Sequence, residues 1–211
     1  MNYSKTGCIN FWLLTVAFFI GSVSVSSQNP DIDILRKINS EETLPSDNLM
    51  TILSDTHREV CVAVPLTIGI AGLITKDKDM VKKSIEIAAA SAINLGFTYI
   101  IKTSVNRERP FETYPDIVKK SDGGSPSFPS GHTSSVFTTA TSLSLNYPKW
   151  YVIAPSYLWA GAVGYSRMQL GVHYPSDVLA GALLGAGSAW LTYKANKWIQ
   201  KKYTNKHGIP N

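Results

Sequence analysis

"SFPSGHTSSVFTTATSLSL", residues 127–145, places a proline and a glycine ahead of a histidine and then runs straight into an apolar, hydroxyl-rich stretch. This pattern predicts a loop that opens a helix over Thr133–Leu145 and grips an anion there. Ser130 and Gly131 precede the helix, where free backbone N–H groups and the helix dipole attract negative charge. Gly131 lets the backbone come close, and His132 follows at the same edge.

Four further stretches resemble Thr133–Leu145 in their apolar character: Val60–Thr75, Ile85–Ile101, Tyr151–Tyr165 and Val178–Tyr193. All are rich in Ala, Gly, Leu, Ile and Val, and none has a clean period of two, so the sequence predicts helices and an all-α fold. Different features weigh for and against membrane embedding. Each stretch is about 16 residues, where a span needs about 20. The mean hydropathy of the chain is about zero, and the 133–145 stretch carries many hydroxyls. In favour are the small residues, which suit close packing in lipid, and Pro65 and Pro155, which membrane helices tolerate. Lysine also gathers on one side of an alternating topology, at 76–83, Lys149 and 194–206. The expectation is a membrane-embedded helical bundle of five or six helices, with a soluble periplasmic helical domain as the alternative.

The 211 residues suit one domain, and a net charge of +5 with 44% apolar residues excludes a disordered or strongly basic chain. No aromatic–basic interleaving points to nucleic acid. Lys5 before an apolar run from Ile9 to Ile20, then "GSVSVSSQ", reads as a secretory signal peptide over residues 1–27, cut after Ser27. The alternative is an uncleaved first membrane helix over Cys8–Val25. Residues 28–59 form a polar, acidic, exported segment ahead of a domain at 60–211. Within that segment Pro45-Ser46 starts a helix whose Leu49, Ile52 and Leu53 share a face expected to pack on the domain, with a membrane surface as the alternative. Cys61 is a packing residue.

Three clusters carry chemistry, and the alternating topology puts all of them on the outer side. "KTSVNRERP" supplies Lys102 at a helix end and Arg109 on the loop after it, whose planar fork of donors suits phosphate oxygens. "PSGH" is Pro129–His132. "SRMQLGVHYPSD" holds Ser166, Arg167, His173 and Asp177, with Pro175 at a first helical turn. His173 and Asp177 are four apart and share a helix face, so the carboxylate can orient the imidazole. Three cations, two histidines and one carboxylate suit a phosphoryl transfer in which cations and helix-end amides neutralise the phosphate without a metal.

Lys102-x6-Arg109-Pro110, Pro129-Ser130-Gly131-His132 and Ser166-Arg167-x5-His173-x3-Asp177 resemble the three-part signature of the type 2 phosphatidic acid phosphatase superfamily, and the resemblance spans roughly residues 60–193. It implies an all-helical, metal-independent phosphatase with no cofactor. In it His173 is the nucleophile, Asp177 its partner and His132 the leaving-group acid, while Lys102, Arg109, Ser130, Gly131 and Arg167 bind phosphate. "LGVHYPSDVLAGALLG" is similar to the membrane lipid-phosphatase branch. The implied substrates are envelope lipid phosphates: lipid A, undecaprenyl diphosphate or phosphatidylglycerol phosphate. The implied location is a bacterial inner membrane with the site facing the periplasm. A soluble acid phosphatase, a vanadium haloperoxidase, which shares this site, and a non-catalytic lipid-phosphate binder stand as alternatives.

Overall fold

The computed structural model describes residues 29–40 and 42–207. The signal peptide or first membrane helix expected over 1–27 lies outside the described residues. Residues Asp31–Asn211 form one compact unit, and Met1–Pro30 separates as another. Eight helices occur among the described residues and no strand. They are α1 (Pro30–Ile38), α2 (Asp47–Asp55), α3 (His57–Ile74), α4 (Lys78–Val105), α5 (Pro110–Thr113), α6 (Gly131–Asn146), α7 (Trp150–Gln169) and α8 (Pro175–His207).

The five long helices α3, α4, α6, α7 and α8 cover the five apolar stretches and outrun most of them. The apolar stretch undercounts the helix because polar ends continue it: α4 starts on the cap of Asp77, whose carboxylate accepts from the amides of Asp79 (2.8 Å) and Met80 (3.2 Å). It ends at Asn106 in the left-handed conformation, φ 47°. Pro65 and Pro155 sit inside unbroken helices.

The hydroxyl-rich α6 is the central strut, packed against α3, α4, α7 and α8. Most of its buried polar side chains find partners in the interior, the Ser142 hydroxyl being an exception. Thr138 and Ser144 donate to the carbonyls of Ser134 and Ala140 (both 2.8 Å). Ser134 meets Asn94 (3.2 Å) and Thr98 (3.0 Å) of α4, and Thr141 meets the Tyr157 hydroxyl at 2.9 Å. The closest approach is to α8, where Gly181 and Gly185 face α6. A Cβ on Gly185 would fall 2.2 Å from the Ser134 carbonyl oxygen, and one on Gly181 2.6 Å from that of Ser130. This is small-residue packing of the kind lipid-embedded helices use.

The apolar side chains lie on the outside. Leu66, Ile70 and Leu73 of α3, Ile93, Leu95 and Ile100 of α4, Leu158 of α7, and Leu179 and Leu183 of α8 are all exposed. Helix α3 and the stretch Lys78–Thr113 are long and apolar enough to cross a membrane. Both show their apolar residues outward, the reverse of a soluble core helix. A polar centre inside an apolar shell is the surface of a membrane protein, and it removes the objection raised by the hydroxyls and the near-zero mean hydropathy. At the end of the bundle away from the loops, Trp150, Tyr151, Trp190 and Trp198 are exposed, with Lys194 over Trp190 and Lys202 over Trp198. Aromatic and lysine side chains in such company mark a membrane–water boundary.

Residues 31–59 pack within the same compact unit. Ile32 and Leu35 of α1 form a small core with Ile117 and Tyr174. Asn39 clasps the backbone of Val118 from both sides (2.8 and 3.0 Å), and Arg36 pairs with Asp116 at 2.7 Å. On α2 the expected apolar packing face is only partly realised. Leu53 packs on the α6–α7 core, but Leu49 and Ile52 are exposed, and the helix buries Asp47 and Ser54 instead. The reason is that the neighbouring loop is polar and cationic. Asp47 accepts from Lys120 and from Gln169, both at 2.8 Å.

Candidate active site

Antiparallel neighbours bring the three sequence clusters to one end of the bundle: the last turn of α4, the first of α6, the last of α7 and the entrance of α8. Lys102 donates to the Pro126 carbonyl. Arg109, where α5 begins, donates from Nε to the Ser125 carbonyl and from Nη1 to the Val172 carbonyl, both at 2.8 Å. Arg167 is 1% exposed; its Nη1 meets the Ser54 hydroxyl and, at 3.3 Å, that of Ser121, and its Nη2 meets the Asp122 carbonyl at 3.4 Å. Its Nε is buried with no hydrogen-bond partner. Among the described residues no carboxylate stands within ion-pair distance of Lys102, Arg109 or Arg167. Buried or half-buried cations compensated only by carbonyls and hydroxyls form an electropositive cluster suited to an anion.

Ser130 caps α6, its hydroxyl accepting from the Thr133 hydroxyl at 2.9 Å and the Thr133 amide at 3.4 Å. Its own amide donates to the Asp177 carbonyl at 3.0 Å. The first-turn amides left for an anion are therefore those of Gly131 and His132, and Ser130 has only its hydroxyl proton to offer. A Cβ on Gly131 would meet the Lys102 side chain at 3.7 Å, an ordinary contact, so Gly131 faces the lysine across the site.

His173 and Asp177 meet, though not across one helix face as the spacing suggests. α8 begins at Pro175, and His173 stands in the turn before it. Nδ1 of His173 lies 3.5 Å from Oδ2 of Asp177 and 3.4 Å from the Ser127 hydroxyl. Asp177 is held on all sides, by Ser127 (2.5 Å), the Tyr174 amide (2.9 Å) and Nη1 of Arg107 (2.7 Å). Burial pushes His173 down to about 4, against the opposing pull of Asp177, so its imidazole is neutral near pH 7.

Several residues at the site have no place in the sequence-derived set. Arg107 bridges Asp177 to Asp31 of α1 (2.7 Å each), and its guanidinium lies 3.8 Å from the Tyr174 ring centre. Asp31 also accepts from the Ser176 amide at 2.8 Å, serving the start of α8 from outside. Ser127 and Arg107 lie inside the motif stretches themselves, and a hydroxyl two residues before Pro129 and an arginine two residues before Arg109 are the signals that mark them. Asp31, Ser54 and His57 come from a segment with no motif, and only the fold brings them in.

Comparison with known proteins agrees with this arrangement. Residues 84–201 match the PAP2 superfamily. An undecaprenyl-diphosphatase of Sulfolobus acidocaldarius is 33% identical over 87% of this chain and 88% of its own. A lipid A 4'-phosphatase of Bacteroides thetaiotaomicron is 38% identical over 42% of this chain and 39% of its own. The crystal structure of Aquifex aeolicus LpxE superposes with a TM-score of 0.68 at 28% identity, covering 82% of this chain and 99% of that one. With the three motifs converging at one end of an inside-out helical bundle, the chain belongs to the PAP2 superfamily.

Proposed function

We propose that the protein is a metal-independent phosphatase of membrane lipid phosphates, working through a phosphohistidine at His173. The observation that carries this is the set of uncompensated cations, Lys102, Arg109 and Arg167, facing a neutral histidine whose Nδ1 is turned to Asp177. Nε2 of His173 is then the nitrogen free to attack phosphorus. The P–O bond to the leaving group breaks as N–P forms, and His132, which takes up a proton once the phosphate anion is bound beside it, gives that proton to the leaving oxygen. In the second half water attacks the phosphohistidine, His132 takes the water proton, and phosphate departs. The three cations, the Ser130 hydroxyl and the amides of Gly131 and His132 hold the equatorial oxygens.

The apolar exterior supports a lipid substrate reaching the site from the bilayer. The relatives named for undecaprenyl diphosphate and lipid A support a polyprenyl diphosphate or lipid A phosphate, with phosphatidylglycerol phosphate as a third candidate. Lysines at the opposite end support a periplasmic site. The test is phosphate release by purified protein from these three lipids and from p-nitrophenyl phosphate, with and without EDTA. Activity on at least one lipid that survives EDTA and disappears in His173→Ala is expected. Loss on chelation with recovery on added magnesium would overturn the proposal.

A further inference from the structure

One buried imidazole at the site has no part in the steps above. His57, the first residue of α3, is 8% exposed, and its ring lies against that of His132 with centroids 3.8 Å apart and planes tilted by 32°. Its Nδ1 is 2.5 Å from the Ser54 carbonyl. A carbonyl can only accept, so Nδ1 carries the proton and that edge of the ring is tied down. The ring's face is what it presents to His132. The last turn of α2, which holds that carbonyl, also sets the Ser54 hydroxyl on Arg167. One backbone feature thus supports both a phosphate-facing cation and the neighbour of the leaving-group acid.

We propose that His57 is a positioning residue for His132. It is an aromatic platform that holds the His132 ring in the orientation from which its proton reaches the leaving oxygen. The role rests on the assignment of His132 as that acid. It needs the flat face of His57, since ring-on-ring contact at this distance restricts how the His132 ring can turn, and it does not need a titrating nitrogen. The α2–α3 junction is therefore part of the catalytic apparatus and not merely a cover.

In the first half of the reaction a misplaced acid matters only when the leaving group needs a proton. Phosphatidylglycerol phosphate must release an alkoxide, whereas p-nitrophenyl phosphate releases a stable phenolate. First-turnover release of phosphatidylglycerol and of p-nitrophenolate, which reads that half alone, is to be compared in one detergent for the wild type, His57→Ala, His57→Phe and His132→Ala. We expect His57→Ala to lose on the order of 10- to 100-fold on phosphatidylglycerol phosphate and no more than about threefold on the aryl ester, a share of what a general acid supplies. His57→Phe should recover most of the loss. The retained aryl activity is itself the check that the variants fold. Equal loss on both substrates, or no loss on either, overturns the proposal. Selective loss in both His57→Ala and His57→Phe also overturns it, because a nitrogen and not a platform would then be required. If His132→Ala shows no preference between leaving groups, the assignment of His132 fails first, and the platform role falls with it.

Discussion

Arg167→Met tests whether the uncompensated cations hold the anion. Arg167 is buried, unpaired at Nε, and has no carboxylate within ion-pair distance among the described residues. Replacing it with a similarly long apolar chain removes the cost of burying a lone charge, several kcal/mol. It also removes three contacts to Ser54, Ser121 and Asp122, worth about 1.5 kcal/mol each, the low end for bonds made by a charged group. The two nearly cancel, so without an anion the Tm should move by less than about 5 °C. Vanadate, a phosphate mimic, at about a hundred times the wild-type Kd stabilises the wild type by about 2.7 kcal/mol. For a chain of this size that is roughly 5–11 °C. Losing a buried charged partner costs about 3 kcal/mol of affinity, more than about a hundredfold in Kd. The same vanadate is then at or below the variant's Kd, and the gain falls to about 0.4 kcal/mol, or roughly 1–2 °C. Tryptophan-fluorescence melting in detergent reads both shifts. A variant that keeps the full vanadate shift would refute the reasoning.

Three other outcomes are expected. Because burial lowers His173 to about 4, this proposed nucleophile stays neutral down to that pH. The acid limb of kcat/KM should lie near pH 4 and not near about 6.5, and folded-state stability should decline as pH drops from about 6.5 toward 4, where the unfolded chain binds the extra proton. A pH–rate profile with its acid limb near about 6.5 would contradict this. Gly185→Leu forces a side chain into backbone atoms of α6 that cannot yield, and should cost at least about 3 kcal/mol or abolish folding, read by melting and yield in detergent. In intact spheroplasts, on a Cys61→Ser background, Gly124→Cys, where an added side chain meets open space, should react with an impermeant maleimide and Asp79→Cys should not; the reverse pattern would place the site in the cytoplasm.

The parts of the molecule legible in the sequence are those fixed by local chemistry. Pro175 at the start of α8, Lys102 in the last turn of α4 and the Ser130 cap of α6 follow from what helix ends require. Which face of each helix turns inward is not legible in the same way. The hydroxyls of residues 133–145 count against a membrane for as long as their burial partners are unknown. Thr98 and Asn94 of α4 and Tyr157 of α7 become partners only after packing. For the same reason the spacing puts Leu49 and Ile52 on a packing face. The pull of Lys120 and Gln169 on Asp47, from 73 and 122 residues away, turns α2 the other way. Asp31 and His57 are invisible in the sequence because an acid and a histidine in a motif-free segment have no local signal at all.

The glycine pair on α8 joins the fold to the chemistry. The dyad rides at the entrance of α8, and His132 rides on the first turn of α6. Their separation is therefore the separation of those two helices. Gly181 and Gly185 let α8 approach until the backbone carbonyls of Ser130 and Ser134 lie where a side chain would otherwise stand. At that distance the Ser130 amide reaches the Asp177 carbonyl at 3.0 Å, which ties the start of the anion-binding loop to the residue that orients His173. Moving the helices apart by one methyl group would break that bond before it disturbed any cation. It would also widen the gap between His173 and His132, the proposed nucleophile and acid, a displacement on the scale at which rates fall steeply. Close packing in the bilayer and the alignment of the two histidines are thus one geometric requirement, met by leaving two side chains off a single helix face.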